Sequence, residues 1–150
     1  MGWVDDLHGQ LVALDTAPLI YYIEEHPTYL PLVGPFFDAL ADGALSVVTS
    51  TITLIEVLTQ PLRQGDAQLE ARYRELLLPA EGLTVLAVSN DIAETAASLR
   101  AKHGLRTPDG IQLSTGITAH AAAFLTNDLR LSAIHELRVV VLDQLANTNA

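Results

Sequence analysis

Five short apolar runs, separated by longer stretches of helical periodicity, constrain the fold of this 150-residue chain more than any other feature. The runs are rich in Val, Leu and Ala, and their bounds are Leu11–Leu14, Leu45–Thr49, Leu83–Val88, Ala122–Thr126 and Arg138–Leu142. Strands that alternate with helices form parallel sheets, and continuous apolarity is typical of strands that helices cover on both faces. The sequence therefore predicts an α/β fold with a buried, parallel five-stranded sheet.

The stretches between the runs predict the helices. One short helix ends within Tyr22–Glu25, and the others cover Pro31–Leu40, Thr51–Gln64, Ala67–Leu78, Asp91–His103 and Pro108–His120. The sequence contains no repeat, low-complexity tract or linker, so residues 1–150 are predicted to form a single domain. A hydrophobic fraction of 49% and a charged fraction of 17% exclude a disordered chain.

Composition excludes several kinds of site and location. The chain has no cysteine, which excludes disulfides and thiolate metal sites. Its first residues lack the basic start and apolar stretch of a signal peptide, and no apolar run approaches the roughly 20 residues that span a bilayer. We therefore expect a cytoplasmic protein with no membrane partner. The net charge of −10 opposes nucleic-acid binding, so RNA would need a local basic patch and bound cations.

Four carboxylates fall where a parallel sheet would bring them to one edge. Asp15 ends the first apolar run, Asp128 follows the fourth, Asp109 opens the helix before the fourth, and Glu56 lies on the helix after the second. Ligands of open α/β sheets bind beyond the carboxyl ends of the strands. Singly, each of the three aspartates could be a helix cap, and Asp143 shows the same local pattern with no assigned function.

Glu56 is the least easily explained of the four acids. Apolar residues flank it and Ile52 shares its helical face, so the carboxylate is predicted to lie on a mostly buried surface. A buried carboxylate needs a partner or a cation, and Arg63 or Arg72 stays open as a structural partner. Two carboxylates about 4 Å apart repel by roughly 4 kcal/mol at an effective dielectric of 20, so four that converge favour a bound cation. Oxygen ligands alone select Mg²⁺ or Mn²⁺ over zinc.

Four segments resemble the signature blocks of PIN domains, and the resemblance extends from Leu11 to Leu142. The segments are Leu14–Tyr22, Leu54–Leu58, Thr107–Ile111 and Leu125–Leu131. Within that family the chain is most similar to the VapC-type toxins of prokaryotic toxin–antitoxin pairs. The resemblance implies a three-layer α/β/α sandwich with a central, mainly parallel sheet, and a Mg²⁺- or Mn²⁺-dependent endoribonuclease. Its implied partners are RNA, a cognate antitoxin and a second copy of the chain. We expect the apolar face of the Pro31–Leu40 helix to bind that second copy.

The resemblance also implies roles for individual residues. The acidic quartet that holds the metal is matched by Asp15, Glu56, Asp109 and Asp128, and one of these acids would orient the attacking water. Supporting roles beside the acids are implied for Thr16, Thr126 and Asn127.

The third block departs from the family pattern. Small apolar residues often follow the acid there, whereas this chain has Gln112, Ser114 and Thr115. We expect these three side chains to lie on the helix away from Asp109, where they affect packing or the choice of partner.

The basic residues that could hold RNA cluster just before Asp109. Arg100, Lys102 and Arg106 stand there beside His103, and Arg130 is a further candidate, with Arg72 and Arg74 as lesser ones. A solvated helix end, in which cations complement the helix dipole, explains the cluster equally well. The histidines show no metal-ligand spacing and are interpreted as surface or helix-end residues: His8, His26, His103, His120 and His135.

Two other α/β families that gather acids at strand ends fit the sequence poorly. A receiver domain needs a lysine at the end of its last strand, whereas the only lysine here, Lys102, lies in a predicted helix. A haloacid-dehalogenase-like phosphatase needs a second aspartate two residues after the first, and Ala17 occupies that position. The alternative that remains is a PIN-fold protein that binds RNA or a protein partner without cutting RNA.

Overall fold

A computed structural model describes residues 2–78 and 80–148, and this part of the chain contains a five-stranded sheet. Its strands are β1 (Leu11–Leu14), β2 (Ser46–Ser50), β3 (Leu83–Leu86), β4 (Ala123–Thr126) and β5 (Val139–Val141). They are ordered β3-β2-β1-β4-β5, and every neighbouring pair is parallel. The predicted parallel sheet is confirmed. Four strands begin and end within one residue of their predicted runs, and β3 ends at Leu86, two residues before the predicted Val88.

The described part of the chain has seven α-helices, two in each of the first three connections between strands and one after the last strand. They are α1 (Thr16–Ile23), α2 (Leu30–Ala41), α3 (Thr51–Gln64), α4 (Ala67–Leu77), α5 (Asn90–His103), α6 (Thr107–Thr118) and α7 (Leu142–Thr148). Short 3-10 turns cover Asp5–Leu7 and Leu129–Ala133. The sequence did not predict α7, because a helix of 7 residues is too short to show a clear period. Leu142, assigned to the last strand, begins this helix instead.

Successive side chains of the strands point into two separate cores. Val12 and Leu14 join a cluster with α1, α2 and α4, whereas Ala13 joins a second cluster with α5 and α6. Helices, sheet and helices thus form the three layers that were expected. The apolar face of α2 packs into the first core through Val33 and Phe36. That face is therefore not free for a second copy of the chain, and the prediction of a dimer interface there is wrong.

A glycine lets α6 lie directly on the centre of the sheet. A Cβ added at Gly116 would stand 2.7 Å from the Cβ of Ala13 and 2.9 Å from the Cδ2 of Leu137. So close an approach of helix and strand is possible only without a side chain. The contact sets the separation of α6 from β1, and with it the place of Asp109 relative to the end of β1.

The strand order reverses between β1 and β4. The chain leaves β1 towards β2 and β3 on one side and returns to β4 on the other. Open α/β sheets bind ligands at the carboxyl ends of the strands beside such a reversal. Asp15 directly follows β1, and Asn127 directly follows β4.

None of the helices within 2–78 and 80–148 combines the length and the apolarity that crossing a membrane requires.

Candidate functional site

An open cleft at this edge of the sheet is lined by all four predicted acids. Asp15 follows β1, Glu56 lies on α3, Asp109 is in the first turn of α6, and Asp128 follows β4. The cleft has a volume of about 490 Å³. The structure thus brings together four carboxylates that are far apart in the sequence.

Asp15 accepts hydrogen bonds at both of its carboxylate oxygens. The backbone N–H of Thr16 donates to Oδ1 at 2.8 Å, so Asp15 caps α1, and the Thr126 hydroxyl donates to Oδ2 at 2.7 Å. Burial raises the pKa of the Asp15 carboxyl and outweighs these two hydrogen bonds, which lower it; the charges of Asp109 and Glu56 raise it further. The ionised carboxylate is therefore poorly solvated, and a bound cation would relieve this.

Glu56 is exposed, so the prediction of a mostly buried carboxylate is wrong. The buried face of α3 runs through Thr53 and Val57, and Glu56 lies beside it on the rim of the cleft. The Thr16 hydroxyl donates to Glu56 Oε1 at 2.7 Å. Arg72, an alternative partner, donates instead to a backbone carbonyl of α1. Glu56 is thus hydrogen-bonded to Thr16, which belongs to the first PIN-like segment, and not to Arg72.

Arginines pair with the other two acids. Arg106 Nε donates to Asp109 Oδ2 at 3.1 Å, and Arg130 donates to both carboxylate oxygens of Asp128. The Arg130 guanidinium holds the pKa of the Asp128 carboxyl below its usual range. Both arginines line the cleft, and their side chains are 68% and 69% exposed. They are free to turn from the acids towards a phosphate group.

The other two basic residues that were predicted to bind RNA do not line the cleft. Arg100 Nε donates to the backbone carbonyl of Leu105 at 2.9 Å, and Lys102 Nζ is 3.4 Å from Glu136 Oε2. Arg100 and Lys102 are therefore residues of a solvated helix end, the alternative that the sequence left open. The two arginines of the cleft stay candidates for RNA binding.

Gln112 lies in the cleft, so the prediction that it lies away from Asp109 is wrong. Its side chain is almost fully buried, with 2% exposed, and it lines the cleft. Gln112 stands three residues after Asp109, which places both on one face of α6, and this spacing could have identified it from the sequence. Ser114 and Thr115 are buried and donate to helix carbonyls, so they contribute to packing.

A chain of hydrogen bonds orients Gln112 and links it to Glu56. Ser50 Oγ donates to Gln112 Oε1 at 2.7 Å, so the amide nitrogen faces Thr53 Oγ1 at 2.7 Å and Thr16 Oγ1 at 3.4 Å. A hydroxyl has one hydrogen to donate, and that of Thr16 goes to Glu56. Gln112 therefore holds Thr16 in the orientation that supports the Glu56 carboxylate.

Replacing Gln112 by Leu is expected to lower the free energy of unfolding by about 1–3 kcal/mol. The reason is that the buried Ser50 hydroxyl loses the acceptor of its hydrogen and the buried Thr53 hydroxyl loses the donor nearest to it. Urea denaturation measures the loss. Gln60→Leu, on the exposed side of α3, is the matched control and should change this free energy by less than about 0.5 kcal/mol. A Gln112→Leu protein as stable as the wild type would contradict this role of the network.

Tyr21, which belongs to the first of the four PIN-like segments, also lines the cleft. Its hydroxyl accepts a hydrogen bond from Asn127 Nδ2 at 3.2 Å, and Asn127 Oδ1 accepts one from the backbone N–H of Asp143 at 2.9 Å. Asn127 thus joins the cleft to the start of α7. Asp143 is not among the lining residues, and its carboxylate accepts a hydrogen bond from Tyr29 at 2.6 Å. The local sequence does not identify Tyr21 as a cleft residue, because its contact with Asn127 depends on how α1 packs beside β4.

The donor set of the cleft fits a hydrated divalent cation. Its lining includes four carboxylates and no histidine or cysteine, a composition that favours Mg²⁺ or Mn²⁺. Among the described residues, no three of these carboxylates have oxygens that all lie within 4.8 Å of one another. Mg²⁺ binds through one or two carboxylates and keeps several of its waters, so this wide spacing suits it.

Comparisons with known proteins relate the chain to a family and to solved structures. The family model of the PIN domain matches residues 12–137. The fold is similar to that of VapBC2 from Rickettsia felis, solved with a DNA fragment from its promoter: the TM-score is 0.71 and the identity 19%, over 87% of this chain and 98% of that one.

Two further solved structures share the fold. A toxin–antitoxin complex from Klebsiella pneumoniae gives a TM-score of 0.65 and an identity of 24%, over 89% of this chain and 98% of that one. DNA-bound VapBC from Salmonella typhimurium gives a TM-score of 0.61 and an identity of 19%, again over 89% and 98%. No curated protein sequence matches the chain significantly.

Proposed function

The chain belongs to the PIN domain family, and we propose that it is a Mg²⁺- or Mn²⁺-dependent endoribonuclease, the toxin of a toxin–antitoxin pair. The observation that carries the proposal is the convergence of Asp15, Glu56, Asp109 and Asp128 in one cleft. The alternative, a module that binds RNA without cutting it, leaves these acids unexplained, because uncompensated carboxylates repel a phosphate backbone. Degradation of mixed RNA with Mn²⁺, and its absence with EDTA, tests the proposal.

The residues of the cleft have different roles in the proposed hydrolysis of a phosphodiester bond. The four acids would hold a hydrated divalent cation, one or two of them directly and the others through its waters. When bound, the cation would supply charge neutralisation and a water of lowered pKa. Thr126 and the backbone of Thr16 orient Asp15, and the Thr16 hydroxyl orients Glu56. Among the described residues no histidine lines the cleft, so an acid of the quartet would orient the attacking water.

Arg106 and Arg130 are proposed to bind phosphate oxygens of the RNA. Replacing either by Ala should weaken binding and reduce the slope of log affinity against log salt concentration by about 1. Fluorescence anisotropy of labelled RNA measures the slope, and an Asp15→Asn background keeps the RNA intact. Arg63→Ala, at the exposed end of α3, is the control and should leave the slope unchanged. Equal slopes in all three variants would show that the cleft arginines do not contact phosphate.

An antitoxin is the proposed protein partner. Of the three solved structures compared above, one is a toxin–antitoxin complex and two are VapBC bound to DNA, and a net charge of −10 suits a basic partner segment. Growth arrest on expression, relieved by co-expression of a small neighbouring gene product that copurifies, would support this pairing. A single domain over residues 1–150, a homodimer and a cytoplasmic location stay predictions.

A further inference from the structure

A second cluster of metal-ligating side chains lies outside the acid-lined cleft. His103 ends α5, while His135 and Glu136 lie in the loop that leads into β5. His103 Nε2 is 2.9 Å from Glu136 Oε2, and His135 Nδ1 is 3.6 Å from Glu136 Oε1. One ligand atom from each of the three residues can be chosen so that all lie within 4.8 Å of one another. Two imidazoles and a carboxylate from two separate segments thus lie close enough to share one metal ion.

We propose that His103, His135 and Glu136 form a binding site for Zn²⁺ or a similar borderline cation. Two imidazole nitrogens and one carboxylate are a common set of three protein ligands for zinc, with water in the fourth position. Imidazole also favours Zn²⁺ over the Mg²⁺ that an all-oxygen cleft takes. The two sites therefore differ in the class of metal that they bind.

The spacing of the three ligands suits a tetrahedral ion. Zinc bonds to nitrogen and oxygen of about 2.0 Å place neighbouring ligand atoms of a tetrahedron about 3.3 Å apart. Glu136 Oε1 is 3.0 Å from His103 Nε2 and 3.6 Å from His135 Nδ1, and these two separations lie on either side of that value. A cation would enter by replacing the hydrogen that His103 and Glu136 share, and the three ligand atoms would close around it.

The charges around the cluster allow a cation to bind. The Glu136 carboxylate supplies a negative charge to the cluster, and His103 Nε2 contacts its Oε2 at 2.9 Å. Lys102 Nζ is 3.4 Å from Glu136 Oε2 and competes for it, but the Lys102 side chain is 56% exposed. An exposed ion pair of this kind is weak, so Lys102 can turn into solvent.

A simple helix-end ion pair explains only part of the cluster. A histidine in the last turn of α5 complements the helix dipole, which accounts for His103 and its contact with Glu136. It does not account for His135, whose side chain is 70% exposed and yet meets the His103 ring edge to face, with centroids 5.8 Å apart. A bound cation would give both imidazoles a common partner.

The position of the cluster connects it to the cleft. His103 lines a small cavity together with Arg106, Asp109 and Arg130, the last three of which also line the acid-lined cleft. A cation held here would tie the end of α5 to the loop before β5, beside the two arginines. The proposal does not depend on the ribonuclease activity.

Titration of the metal-free full-length protein with Co²⁺ and Zn²⁺ tests the site. Co²⁺ should give the visible absorption of a four-coordinate ion with nitrogen ligands, and one equivalent of Zn²⁺ should abolish it, whereas excess Mg²⁺ should not.

His135→Ala is the first variant, because an exposed side chain can be removed without loss of the fold. It should weaken Zn²⁺ binding at least about 100-fold, as should Glu136→Gln. His8→Ala, also at an exposed histidine beside an aspartate, is the matched control and should bind like the wild type.

Two results would overturn the proposal. One is a Co²⁺ spectrum and Zn²⁺ affinity that are the same in His135→Ala as in the wild type. The other is Zn²⁺ binding that is lost in Asp15→Asn, which would place the ion in the acid-lined cleft. Because Asp15→Asn also removes the proposed nuclease activity, retained Zn²⁺ binding in that variant separates the two proposals.

Discussion

Asp15→Asn is expected to reduce cleavage of RNA at least about 100-fold, while the fold stays intact. The substitution removes the charge of the most buried acid of the quartet but keeps its shape. Asn caps helices as well as Asp, so its Oδ1 can still accept from the backbone N–H of Thr16. Turnover of mixed RNA with Mn²⁺ measures the effect.

Asp143→Asn is the matched control for this loss. Asp143 also follows an apolar strand at the start of a helix, but it does not line the cleft, so the variant should cleave at the wild-type rate. Equal cleavage by Asp15→Asn and the wild type would refute the nuclease proposal. No cleavage by either at any Mn²⁺ concentration would favour the module that binds without cutting.

The same substitution is expected to stabilise the metal-free protein at neutral pH. Burial raises the pKa of Asp15 above its ordinary value of 3.8, so the ionised form is penalised in the folded state. For this group the folded protein binds more protons than the unfolded chain, and stability falls as the pH rises from 3.8 through the raised pKa. Asp15→Asn should therefore melt at a higher temperature than the wild type at pH 7, and the difference should shrink as the pH falls towards 3.8. A lower melting temperature for Asp15→Asn at pH 7 without metal would contradict this sign.

Gly116→Val is expected to lower the free energy of unfolding by about 3 kcal/mol. Even the first added carbon would stand 2.7 Å from Ala13 Cβ, which belongs to the central strand and cannot move without bending the sheet. The variant should also lose activity, because α6 carries Asp109 and Gln112 into the cleft. Urea denaturation measures the change in stability.

Thr118→Val is the control for this second large effect. It places the same β-branched side chain on the same helix at an exposed position, and should change the free energy of unfolding by less than about 0.5 kcal/mol. If Gly116→Val and Thr118→Val were equally stable, the close contact of α6 with β1 would not be a constraint on the fold.

The sequence by itself determined the five strands, the six α-helices before the last strand and the edge of the sheet at which the acids lie. Apolar runs and helical periods are local properties, and the rules for parallel sheets bring the carboxyl ends of the strands together. Asp15 illustrates why a local interpretation was incomplete rather than wrong. It is both the cap of α1 and a member of the acid-lined cleft, because a helix that follows a strand starts at the ligand-binding edge.

Only the tertiary structure decided which side chains meet at that edge. The exposure of Glu56, the pairing of the cleft arginines and the contact of His103 with Glu136 all depend on how separate helices and loops pack. Periodicity states which face of a helix is apolar, but it does not give the rotation and depth at which that face meets the sheet. For α6 that depth is set by Gly116 against Ala13, and it carries Gln112 to the hydroxyls that support Glu56.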